Sequence, residues 1–301
     1  LDLIVNQRGF SPVHPPGRDG FSGFPFVTQL VGRGGETSTG GWFGSRAPTD
    51  DSPYFFQVVS PFAFEGLDPA QAIWLQDRGV NLQSSVTLRQ TMVVVTCLAI
   101  VLFFAPFVSR ALVGSTKRSL PVHWRGSLYF AAIGAGFMLI ENVLIQRFVL
   151  YLGHPSYATT VILASLLLGM GVGSLNSGRL GVRGLARLGI AVPLLLAALL
   201  LLLPGLMSST LGWKLAARIA VSVASLTPLG LCLGVFFPLG MMRFADGSRP
   251  WFWAINGVFG VVASVMSLAL SMTIGFAMVG LLGAVCYAGA WLCVRGSERA
   301  A

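Results

Sequence analysis

Few side chains in this chain have the chemistry to bind or react, and most of them sit among apolar neighbours. Glu141 is the sharpest. It lies in Phe137-Met138-Leu139-Ile140-Glu141-Asn142, near the middle of a long hydrophobic run. A carboxylate held in hydrocarbon costs about 2.5–3.5 kcal/mol on insertion scales, so it should face other helices or a wet cavity. Its helical neighbours Leu144 and Ile145 offer it nothing polar, and Arg147 lies on another face. Asn176, Arg179 and Asn256 are the candidate partners from other helices. Two roles are open to Glu141: an interhelical hydrogen bond, or a binding residue such as a counter-ion for an amine. Asn142 and Gln146 are four apart and share a face. They line a path or join two helices, and joining is the simpler role.

Other familiar chemistries lack their residues. His154-Pro155 sits in a tight turn, where a lone histidine is structural. Cys97, Cys232, Cys286 and Cys293 are scattered through apolar segments and read as small hydrophobes. No Cys/His cluster has metal spacing, and no Ser/His/Asp arrangement is visible. The glycines at positions 32–41 lack both the dinucleotide and the Walker spacing, so a loop is expected there and no cofactor site.

The elements that would position these residues are membrane spans. The chain is 54% hydrophobic and 10% charged, with a mean hydropathy of +0.75. That excludes a soluble globular domain. A helix needs roughly 20 apolar residues to cross the hydrocarbon core. Seven runs qualify, at about 90–113, 126–150, 156–178, 187–207, 215–242, 251–273 and 276–294. The expected fold is an all-α, polytopic bundle. Pro106, Pro193, Pro228 and Pro238 fall in or near spans and predict kinks. Gly169-xxx-Gly173 and Gly230-xxx-Gly234 predict close helix approach, as do Ala132-xxx-Gly136 and Gly260-xxx-Ser264 more weakly.

Residues 1–88 differ. They hold eight of the acidic residues and no span, and form a soluble segment ahead of a bundle at 89–296 and a short tail at 297–301. A short strand is expected at 1–5 and an amphipathic helix at 68–78. The net charge of +9 suggests lipid rather than nucleic acid as the partner, because the basic residues beyond Arg89 lie mostly between spans. Lys117, Arg118, Arg125, Arg179, Arg183, Arg243, Arg249, Arg295 and Arg299 fall in odd loops or the tail. The positive-inside rule then puts the C-terminus in the cytoplasm and residues 1–88 outside.

Three stretches resemble the C-terminal half of membrane-integrated, spermidine-synthase-like proteins of bacteria. The first is Ala47-Pro48-Thr49-Asp50-Asp51-Ser52-Pro53-Tyr54-Phe55-Phe56. It is similar to the Thr-Asp-Asp-x-Pro-aromatic motif that closes that family's soluble domain. The second runs from Gly134 to Ser174 and includes Ile145-Gln146-Arg147-Phe148 and Leu152-Gly153-His154-Pro155-Ser156-Tyr157-Ala158. The third is Phe237-Pro238-Leu239-Gly240 with Trp251-Phe252-Trp253-Ala254-Ile255-Asn256-Gly257. The resemblance implies an upstream Rossmann-like domain that binds S-adenosylmethionine or its decarboxylated form, with residues 1–88 as its C-terminal remnant. It also implies that Asp50 and Asp51 lie near the end of that domain, within reach of a substrate amine. Ser52 departs from the basic residue expected beside them.

Two functional readings follow. In the first, the chain is the membrane half of such a protein, anchoring or feeding a transferase domain of the aminopropyltransferase or methyltransferase type. The fragment alone is then not expected to catalyse. In the second, it is a permease for a polyamine-like or lipophilic molecule, with Glu141, Asn142, Gln146, Asn176 and Asn256 along the path. The first reading carries a conflict. S-adenosylmethionine is a cytoplasmic cofactor, whereas the loop charges put residues 1–88 outside.

Overall fold

The computed structural model describes residues 51–54, 61–62, 82–113, 123–244 and 249–298. From Leu82 onward the described chain is almost wholly helical: α1 (Leu82–Val113), α2 (Trp124–Leu152), α3 (Pro155–Thr210), α4 (Leu215–Phe244) and α5 (Arg249–Glu298). Six segments are long and apolar enough to cross a bilayer: Gln83–Ala105, Trp124–Leu152, Pro155–Leu180, Leu188–Thr210, Leu215–Phe244 and Arg249–Arg295. The strand at 1–5, the glycine-rich loop, the helix at 68–78, the Rossmann-like remnant and Asp50 lie outside the described residues.

Two helices are too long for one crossing. At about 1.5 Å per residue, the 56 residues of α3 would stretch about 84 Å if straight. Its two ends instead meet. Thr210 shares a 2.7 Å hydrogen bond with Tyr151, four residues ahead of Pro155. The chain therefore runs away from this end and returns within α3. In α5 the reversal has a visible cause. Gly275 adopts φ 84° and ψ 165°, a conformation that costs a residue with a Cβ but not glycine. The arms on either side of Gly275 pack against α2 at nearly the same level. Gly134 abuts Asn256 of the first arm, and Gly136 abuts Gly283 and Cys286 of the second.

The small-residue motifs do what their spacing predicts. Gly169 lies against Thr227 and Gly230, Gly173 against Leu231, and Gly234 against Met170, in each case against backbone. The two Gly-xxx-Gly pairs therefore pack on each other and bring α3 and α4 into direct contact. Tyr129 adds a polar tie, donating from its hydroxyl to the Phe236 carbonyl at 2.6 Å. Around it Phe130 stacks on Phe252 with ring centroids 4.8 Å apart.

The turn at His154 is structural. The Gly153 N–H, at φ 81°, donates to the Val149 carbonyl and ends α2. The imidazole Nδ1 of His154 accepts from the Ser156 N–H at 3.2 Å, and Pro155 opens α3. Outward, the bundle presents large apolar side chains. Val94, Val101, Leu168, Leu175, Leu194 and Leu201 are each 60% or more exposed. In water such a surface would drive aggregation; in lipid it is the contact surface.

Candidate functional site

Glu141 faces inward, as its cost in hydrocarbon demands. It is 6% exposed. None of Asn176, Arg179 and Asn256 bonds to it. Asn256 donates to the Phe130 carbonyl at 3.1 Å, which joins α5 to α2. It sits level with Gly134, about 10 Å along the helix from Glu141. Asn176 is exposed on α3 and donates to the Val172 carbonyl of its own helix at 2.8 Å. The five polar residues assigned to one path are thus separated, and only Asn142 and Gln146 stay together.

Those two line a cavity of about 690 Å³ between α1, α2 and the first arm of α5. Polar residues reach it from all three helices at helical spacing. Gln83, Thr87 and Thr91 come from α1, and Ser264, Ser267 and Ser271 from α5. The Asn142 amide donates to the Met138 carbonyl at 3.0 Å and to the Ser264 hydroxyl at 3.4 Å. The α1 and α5 contributors are missing from the sequence expectation. Their signal is the repeat itself, three polar stripes in otherwise apolar runs.

A second constellation forms around Asp51. One carboxylate oxygen accepts from the Arg147 guanidinium at 2.5 Å and from the Ala277 N–H at 2.9 Å. The Asp51 carbonyl accepts from the Phe276 N–H at 2.9 Å. These two N–H groups are among the orphan donors that open a helix, so Asp51 caps the second arm of α5 just past its break. Arg147 is 10% exposed and Asp51 40%. Arg147 is therefore paired across the fold. Tyr54 completes the contact. Its ring meets Phe276 edge-on at 5.9 Å, and its buried hydroxyl lies beside Ser271. Burial pushes the Tyr54 phenol up to about 12. Behind the Asp51–Arg147 pair lies a cavity of about 400 Å³ walled by Tyr151, Pro204 and Met207.

Geometry and surface together define a multi-pass helical membrane protein with a polar cavity between helices and an acidic latch near one end. Searches of protein-family models, of curated proteins and of solved structures found no match to this chain.

Proposed function

We propose that the bundle is a membrane anchor that holds the soluble segment ahead of it, as the membrane half of a spermidine-synthase-like protein. The observation that carries this reading is the Asp51 latch. The residue belongs to the stretch that resembles the end of a soluble transferase-like domain, and it is bonded to Arg147, Phe276 and Ala277. A domain tethered only by a loose linker would not need an ion pair, a helix cap and a buried tyrosine. The remaining expectations belong to the same proposal. Divided at Gly275, α5 contributes two crossings, which makes seven. The membrane is the cytoplasmic one, with the arginine-rich end inside. That orientation puts the Asp51 end outside, so S-adenosylmethionine, or its decarboxylated form, is the cofactor of the upstream domain only if the orientation is the reverse.

The test is the coding frame upstream of Leu1. A continuous frame encoding a Gly-rich strand, loop and helix is expected, and S-adenosylmethionine binding by the encoded protein would then be measured by calorimetry. An immediate start codon or an unrelated signal sequence would overturn the reading.

The permease alternative rests on Glu141 and has less behind it. Glu141 is inward but lines none of the three cavities around the polar residues. Loss of uptake in Glu141→Gln with an intact fold would favour it.

A further inference from the structure

We infer that the cavity between α1, α2 and α5 is a binding site for an uncharged, hydroxyl-bearing group at the polar end of a small molecule or lipid. The inference does not depend on the anchor reading, because none of Asp51, Arg147, Phe276 and Ala277 lines the cavity.

The wall decides the ligand's charge. Asn142, Gln146, Ser264, Ser267 and Ser271 supply amides and hydroxyls, and among the described residues no ionisable side chain lines the space. A polyamine would bring two or more ammonium groups into a place with no carboxylate to receive them, and a phosphate would find no cation. Desolvating either charge without a partner is costly. A neutral polyol loses no charge solvation and meets groups that both donate and accept.

The wall is also unsatisfied, which distinguishes it from helix-joining polarity. Ser267 is 1% exposed, and its hydroxyl has no hydrogen-bond partner. Serines elsewhere in the bundle commonly return their hydroxyl to their own helix, as Ser165 does to Val161 and Ser222 to Arg218. A buried hydroxyl left open beside a polar space points to an occupant of that space. At about 690 Å³ the cavity has the size of a small-molecule site rather than of a water pocket.

One chemistry has two sources here, a free polyol or the headgroup of a neutral glycolipid. The experiment separates them. The full chain is reconstituted in phosphatidylcholine nanodiscs doped with glucosyl-diacylglycerol, with phosphatidylglycerol, or with free octyl glucoside and glucose in the buffer. Bound species are then counted by native mass spectrometry. Glucosyl-diacylglycerol retained over phosphatidylglycerol supports a lipid headgroup. Glucose or octyl glucoside retained without it supports a free polyol. In either case Ser267→Ala combined with Gln146→Leu should lower retention about tenfold, while the thermal midpoint stays near that of the parent. Ser267→Ala alone keeps the test readable if the double variant fails to fold, with a smaller loss expected. Equal retention in the variants, preference for the anionic lipid, or no retained neutral species would overturn the inference.

Discussion

Asp51 shows how one side chain can serve two ends of a fold. Its carboxylate neutralises Arg147 and caps a helix, so substitutions should separate the two roles. Asn is a good capping residue but carries no charge. Asp51→Ala should therefore cost more than Asp51→Asn, by about 1 kcal/mol of a total loss near 1–3 kcal/mol. Thermal unfolding in detergent reads both. Equal losses would mean that the cap contributes nothing. Tyr54 allows a test by pH. Its phenol is raised from about 10 to about 12 in the fold, so the folded state holds its proton where the unfolded chain gives it up. Its contribution is complete below pH 10 and is lost as pH rises towards 12. Tyr54→Phe should flatten the stability profile between those values. At neutral pH it should change stability by less than about 1 kcal/mol, because the hydroxyl it removes has only the nearby Ser271 as a polar neighbour. A parallel alkaline profile in the variant would place the titration elsewhere. Neither role of Asp51 was legible beforehand. Arg147 is 96 residues away in sequence, and no local pattern reports a pairing at that distance.

At the scale of helices, hydropathy carried most of the information. Apolar runs located the helices that cross, and the division between residues 273 and 276 coincides with Gly275. What hydropathy missed are the polar ends. α1 starts at Leu82 rather than near 90, because its first turns carry Gln83 and Thr87 towards the cavity and so do not score as apolar. The polar cavity was hidden for the same reason. Each stripe alone is ordinary, and only the packing of three helices makes a site. The glycine pairs were legible because their requirement is steric and local. A Cβ on Gly234 would collide with the Met170 carbonyl oxygen, whereas one on Gly171 meets nothing within 4 Å. Gly234→Ala should thus destabilise the bundle by about 1–3 kcal/mol through overpacking. Gly171→Ala should leave stability unchanged or raise it slightly, as alanine favours the helix. A similar midpoint for the two variants would mean that α3 and α4 can separate without cost.

For the whole molecule, the proposed orientation rests on the distribution of arginine, and with it the chemistry available to the latch. Arg125, Arg243, Arg249 and Arg295 lie towards the helix ends opposite Asp51, level with the Trp251–Ser127 hydrogen bond. At the Asp51 end, Arg147 is neutralised by Asp51, and Arg218 is held by the Tyr151 carbonyl at 2.6 Å. Among the described residues four arginines thus gather at the end away from Asp51, against Lys214 and Arg218 beside it, and the positive-inside rule would assign the richer end to the cytoplasm. With the native cysteines replaced, a cysteine at Gly153 should react with an impermeant maleimide in intact cells. One in the 245–248 connection should react only after lysis. That outcome would hold the soluble segment outside, away from S-adenosylmethionine, and leave the anchor reading with a domain that does other chemistry. The reverse labelling would put Asp51 and everything ahead of it in reach of the cofactor. The transferase-like domain would then become the first thing to assay.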